Sequence, residues 1–418
     1  MTNTSLYDQR LQRVQDAIHL KEPDCIPIIP KVAGTPYYLY HDGGSHASEN
    51  YGYNKAIEAY IRYHAEFQPD VRTMPDIMSG LANEIAGTTM LDWPGRPGTA
   101  VQDLSTYQVI ENEYMAQDEY EELIQDYTGF LFRKYIPRAY PGLKGFAHFV
   151  INPAVILGTK PFSPMFNDQV KLAMTNFIQM INESANANEF LSYANDKLDE
   201  MGFPPYNTGG GEVPYDIVSD YFRGTMGIFD DLVEIPEMIA KACKLFTDIQ
   251  IKNLSYFENS LMKVKRVFFP LHKGMDGFMS PRQYDELYWS PYQELLKYLI
   301  QIDVTPIIYC EGPYNSRLDY IRGRLSELPK GSCIVHFETG DFAKIKKLFS
   351  GIACLSGGMP LYLLEYGSKL EVVERTKYLI DNCGAGGGFL LNSSGAIENV
   401  KRENFEAMFE TARTYGKK

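Results

Sequence analysis

Three side chains suited to a divalent cation, His272, Glu311 and Glu338, follow or end three successive apolar runs in the second half of the chain. The runs are Arg266–Leu271 (RVFFPL), 304–310 (VTPIIYC) and 332–338 (SCIVHFE), and their β-branched and aromatic content reads as strand. In a parallel α/β barrel, reactive groups project from the C-terminal ends of the strands, where these three residues fall. One imidazole and two carboxylates form a donor set for zinc or a similar ion with one position open. The alternative is a solvated rim on which Lys273, Lys344 or Arg317 partners the carboxylates. Because side chains alternate along a strand, Tyr309 shares a face with Glu311, and His336 with Glu338. His336 lies two residues inside its strand and reads as an interior histidine satisfied by hydrogen bonds.

Two glycine clusters could bring backbone N–H groups close to an anion or cofactor: 208–211 (TGGG) and 384–388 (GAGGG). Neither spells a dinucleotide or P-loop fingerprint, and the second precedes a strand, so a tight αβ connection is the simpler reading. HExxH, GxSxG and paired CxxC motifs are absent from the sequence. The 30 tyrosines suit an aromatic cavity for a flat organic ligand, though most will be ordinary half-buried residues.

The elements that must position these groups follow a βα rhythm. A fourth run, 352–355 (IACL), continues it, and 25–33 (CIPIIPKVA) with 71–78 (VRTMPDIM) supply similar strands earlier in the chain. Ser280 with Gln283, and Ser368 with Glu371, predict capping boxes, while Pro291 predicts a kink or a second helix. The last helix begins near Val400, with Phe405, Met408, Phe409 and Ala412 on its apolar stripe and Gly416 as its C′ residue. Between 100 and 205 the pattern is irregular and rich in Tyr and Asn. Eight strands along 418 residues predict a (β/α)8 barrel with insertions, read as one domain over residues 1–418.

Composition bounds the partners. With 40 basic against 53 acidic residues, a net charge of −13 argues against nucleic acid, which needs a basic face. No apolar run approaches the length of a membrane helix, and the N-terminal residues lack the apolar core of a signal peptide. Six cysteines without regular spacing read as reduced thiols, and the expected location is cytoplasmic.

Several segments together resemble the uroporphyrinogen decarboxylase superfamily, which includes corrinoid-dependent methyltransferases. They are 13–27 (RVQDAIHLKEPDCIP), 214–230 (PYDIVSDYFRGTMGIFD), 279–291 (MSPRQYDELYWSP), 356–360 (SGGMP) and 386–416. The resemblance implies an α/β fold, a TIM (β/α)8 barrel of that type with an N-terminal helical extension. The arginine-rich loop with which the decarboxylases hold porphyrinogen carboxylates is replaced by 30–35 (PKVAGT), so Lys31 and Thr35 stand at arginine positions. Asp76 matches the family aspartate that contacts the pyrroles. Where the thiol-activating methyltransferases carry His-x-Cys and a later cysteine, this chain has Tyr309, Glu311 and Gly395.

Thiol activation needs soft ligands, so the resemblance implies instead a harder zinc site, His272, Glu311 and Glu338, acting as a Lewis acid on a methyl-bearing oxygen. The expected activity is transfer of a methyl group from a small methylated substrate to the corrinoid, or cobalamin, of a separate protein, with a homodimer as the expected assembly. Tyr309 or Asp276 would orient the leaving oxygen, and Lys31 and His336 would contact the substrate. One alternative is a metal-independent decarboxylase in which Asp76 and Lys31 stabilise developing charge; another is a non-catalytic tetrapyrrole- or corrinoid-binding barrel.

Overall fold

The computed structural model describes residues 5–75, 77–152 and 157–417, so Asp76 lies outside the described residues. Six parallel strands follow one another in chain order: β1 (Gly209–Gly210), β2 (Arg266–Leu271), β3 (Thr305–Cys310), β4 (Ile334–Phe337), β5 (Cys354–Met359) and β6 (Phe389–Ser393). Two irregular staves complete the ring. Segment 27–32 joins β6, with Ile29 N–H donating to the Leu391 carbonyl and Leu391 N–H to that of Pro27, both at 2.9 Å. Asp70 N–H donates to Ile28 at 2.9 Å, and Arg72 N–H to Pro204 at 2.7 Å on the chain entering β1. Eight staves thus close a TIM barrel, as the βα rhythm predicts.

Strands β3 to β6 are buried almost throughout, because helices cover one face and the barrel interior the other. Inward side chains Ile307, Ile334, Cys354 and Leu390 pack with Ile29 and Val71 against Val14, Ala17 and Ile18 of the first helix, Leu6–Ile18. That helix, the expected N-terminal extension, plugs the barrel floor. All six cysteines are free, and no helix among the described residues is long and apolar enough to cross a membrane.

Local signals are borne out unevenly. Both capping boxes form. Pro291 lies in the first turn of an α-helix, Ser290–Gln301, that follows a π-helical stretch, Tyr284–Trp289, as the second-helix reading expects. The strand expected at 352–355 runs instead over Cys354–Met359, since Gly357 and Gly358 sit at φ +118° and +103° and a Cβ on Gly357 would come within 2.8 Å of the Phe337 carbonyl. Gly416 is the C-cap at φ −85°, selected by space and not by a left-handed turn, because a Cβ there would stand 2.4 Å from the Ala412 carbonyl. Within 100–205 the structure has helical turns over 117–148 and a 33-residue helix, Asp168–Glu200.

The loops after the first and last staves are latched by a buried histidine. His46 Nδ1 and Nε2 each lie 2.7 Å from a carboxylate, Glu49 and Glu398, and Glu398 also accepts Gly34 N–H at 3.0 Å. Burial opposes the charge, but the two carboxylates outweigh it and raise the imidazole to about 10. A histidine raised above its unfolded value near 6.5 gives stability that is complete below that pH and is lost as pH climbs through about 10. Thermal melting followed from pH 6 to 10.5 should therefore show a fall in Tm above pH 7. His46→Ala should cost about 3 kcal/mol at pH 6 by taking the cation away from the buried Glu49 carboxylate, and should flatten that fall.

Candidate active site

Above the floor the barrel encloses a cavity of about 740 Å³ lined by Lys31, Arg72, Tyr206, Phe268, Tyr309, His336 and Asn392 among others. The first stave delivers Lys31: its N–H donates to Asn392 Oδ1 at 2.8 Å and its carbonyl accepts Ile397 N–H at 2.8 Å. The ammonium lies 3.9 Å from the Tyr309 ring centroid and 5.3 Å from that of Phe268, within cation–π range of both. Arg72 is held to Asn195 at 2.8 Å and paired with Asp199.

His336 is the satisfied interior histidine that its place in the strand predicts. Burial lowers it to about 3, so it is neutral; Nε2–H donates to the Ser394 carbonyl at 3.0 Å, and Nδ1 accepts from Ser356 Oγ at 3.2 Å. Asn392 Nδ2 in turn donates to Ser356 Oγ at 3.2 Å. Tyr309 turns its ring to the cavity and donates its hydroxyl to Glu338, which also accepts Gly312 N–H at 2.8 Å. Burial and then the Glu338 charge push the phenol well above its ordinary range, so it remains a donor.

The mouth of the barrel is acidic. His272, just past β2, has Nδ1 2.7 Å from Asp220 Oδ2 and Nε2 3.4 Å from Glu311 Oε2. Asp216, fully buried, accepts His272 N–H at 2.9 Å, Lys273 N–H at 3.0 Å and the Tyr288 hydroxyl at 2.7 Å. Burial and the Asp220 charge raise Asp216, and burial raises Glu212 to about 7. Burial acts against the His272 charge too, yet Asp220 and Asp216 lift it to about 9, while Asp220 is lowered by its bonds to His272 and Ser219. The mouth therefore sets a histidine whose charged form is favoured beside Asp216 and Glu212, whose burial favours their protonated forms.

The site residues read from the sequence separate into two groups. Lys31, Tyr309 and His336 meet in the cavity, and His272 and Glu311 pair at the mouth. Glu338 accepts from the Tyr309 hydroxyl and Gly312 N–H. Among the described residues no three His, Cys, Asp or Glu side chains converge to hold a metal ion. Both His272 nitrogens face carboxylates, Asp220 and Glu311. Asp276 is taken up by Ser316, whose N–H and Oγ donate to it at 3.1 and 2.6 Å, and this fixes a loop instead of facing the cavity. Of the basic residues offered as rim partners, Lys273 pairs with Asp220 and Glu111, and Arg317 donates to the Met279 carbonyl.

Both glycine clusters are structural. Gly209–Gly210 is β1 itself, and Gly386 to Gly388 all have positive φ in the turn into β6. Sequence reading missed Glu212, Asp216 and Asp220: Glu212 precedes the helix that starts at Pro214, and Asp220 falls in its π-helical stretch. It also missed Asn392 and Arg72, which no motif marks.

The His272 pair gives a direct titration test. In the intact protein the His272 imidazole resonance should titrate near 9, and in Asp220→Asn it should move at least one unit toward 6.5; an unmoved midpoint would show that Asp220 does not hold the proton.

Comparison with known proteins bears on the whole arrangement. Residues 209–415 match the family model of uroporphyrinogen decarboxylase (URO-D). No curated protein matches the chain. Among solved structures, a methyltransferase from Methanosarcina mazei superposes with a TM-score of 0.61 at 13% identity, covering 97% of this chain and 98% of its own, a likeness of fold. The family match thus spans the half of the chain that carries β1 to β6, and the likeness to that structure extends the same barrel fold over the rest.

Proposed function

We propose that the chain is a methyltransferase: it binds a small O-methylated substrate in the barrel cavity and passes the methyl group to a corrinoid carried by a separate protein docked over the mouth. The observation that carries this reading is Lys31, an ammonium fixed by its backbone inside an aromatic cavity large enough for a small organic ligand. In the transfer the methyl–oxygen bond breaks, the methyl leaves without its bonding electrons, and the pair stays on the oxygen. A lysine N–H aimed at that oxygen stabilises the charge as it develops, and Tyr309 and Phe268 pack the substrate. His272 and its neighbouring carboxyls are a proton reserve for the released alkoxide or phenoxide. The electrophile in this step is Lys31, whose ammonium lies in the cavity beside Tyr309 and Phe268.

The name of the solved structural neighbour supports methyl transfer, and the lysine and threonine in 30–35 argue against a porphyrinogen polycarboxylate. A second reading, decarboxylation of a different substrate, draws on the family match and on the same Lys31 charge. Methoxylated compounds incubated with the protein and cob(I)alamin should give methylcobalamin, read by its absorbance. Lys31→Met should lower kcat by about 10²–10³ with a small change in KM. Release of carbon dioxide from a carboxylated panel without methyl transfer would favour the decarboxylase, and full activity of Lys31→Met would overturn the role given to that residue.

A further inference from the structure

Arg266, the first residue of β2, is 3% exposed, and its guanidinium donates to two main-chain carbonyls, Pro205 at 3.3 Å and Tyr206 at 3.0 Å. Among the described residues no carboxylate pairs with it; the titratable groups near it are Tyr206, Tyr7 and Cys354, all neutral at pH 7. Burial lowers it to about 10, so it keeps its charge at neutral pH. A buried cation without a counter-ion is costly, and its field carries far in a low-dielectric interior. Pro205 and Tyr206, which hold it, both line the barrel cavity, so the charge stands behind the cavity wall. The Tyr206 ring packs with Phe268 on the apolar cluster of the floor. Its hydroxyl is buried and makes no hydrogen bond among the described residues. Ser356 Oγ, close by, bonds instead with His336 Nδ1 and Asn392 Nδ2. A buried O–H of this kind calls for an acceptor from outside the chain.

Resting on the reading of this cavity as the site of methyl transfer, we infer that the substrate is an aromatic carboxylate, its carboxylate seated on the Tyr206 hydroxyl with Arg266 behind it and its methoxy group turned toward the mouth. The described residues that line the cavity include the bases Lys31 and Arg72 and no acid, whereas Glu212, Asp216, Asp220 and Glu311 gather at the mouth around His272. An anionic end is therefore drawn to the floor and kept from the mouth. That orientation leaves the methyl group on the open side, where an acceptor carried by another protein can reach it. Tyr206, Phe268 and Tyr309 supply walls for a flat ring. A neutral ether would fill the same walls but would answer neither the guanidinium nor the hydroxyl.

The test is calorimetric titration of the full chain with benzoate, 4-methoxybenzoate and anisole. Both acids should bind, and anisole should bind about tenfold more weakly or worse. Tyr206→Phe should weaken both acids about tenfold, the loss of one hydrogen bond to a charged group, and leave anisole unchanged. Because that hydroxyl has no partner among the described residues, the same variant should not lower Tm, which serves as the folding control. Acids that bind no better than anisole, or acid binding that survives Tyr206→Phe intact, would overturn the inference. Benzoate has no methyl group to give, so its binding is read apart from the reaction. Binding of both acids that is lost in Tyr206→Phe, with no methylcobalamin formed from 4-methoxybenzoate, would support the carboxylate seat and count against methyl transfer alone.

Discussion

A ring of parallel strands closes only when its first stave finds hydrogen-bond partners on both sides, and here that stave is interrupted by Pro27 and Pro30, which have no N–H to give. The donors that remain are each assigned. Ile29 N–H goes to Leu391, Ile28 N–H to the Asp70 carboxylate at 2.7 Å, and Lys31 N–H to Asn392. Asp70 is buried, and Arg13, shared with Asp24, neutralises it at 2.5 Å. The helix that plugs the floor thus also anchors the seam through Arg13. Everything proposed for the cavity depends on this seam, since it sets where Lys31 enters.

The site divides electrostatically along the barrel axis. In the cavity Lys31 lies over the Tyr309 and Phe268 rings and Arg72 is paired with Asp199; at the mouth, carboxylates outnumber bases. Glu338 stands between the two regions. It takes the Tyr309 hydroxyl from the cavity side and the Gly312 N–H from the turn that carries Glu311, so a change at one level is felt at the other through one carboxylate. Such polar chains in a low-dielectric interior are strong only when each member is satisfied. His336 shows the same rule, with each nitrogen given one partner and no charge.

The barrel was legible because its signals are local and repeated: apolar runs bounded by capping boxes, with glycines where strands meet helices. The face-sharing of Tyr309 with Glu311 and of His336 with Glu338 followed from alternation alone. What alternation could not supply was the partner of each group. Glu338 has the parity for a ligand, but a phenol and a backbone amide one stave away claim it, and such cross-strand competition depends on register. The acidic face at 212–220 was hidden for a different reason: its helical run passes through a π-helical segment, Ile217–Arg223, that ordinary helical periodicity does not describe. Region 100–205 was opaque because its long helix packs by one narrow stripe and leaves other apolar residues in water.

The departures from the thiol-activating branch make physical sense as a set. Gly395 stands where the resemblance leads one to expect a later cysteine ligand, and a Cβ built there would lie 3.1 Å from Glu338 Oε1 and 3.7 Å from the Tyr309 hydroxyl. A side chain at 395 would therefore press on the pair that links cavity and mouth, and glycine leaves room for it. Tyr309 presents a ring that lies under the Lys31 ammonium and a hydroxyl that needs an acceptor; Glu338 supplies that acceptor. Restoring a cysteine at 395 alone would add a thiol facing a carboxylate and a phenol, neither of which a soft metal site would choose. The three positions form one packed unit, and its chemistry is that of hydrogen-bonded oxygen and an ammonium.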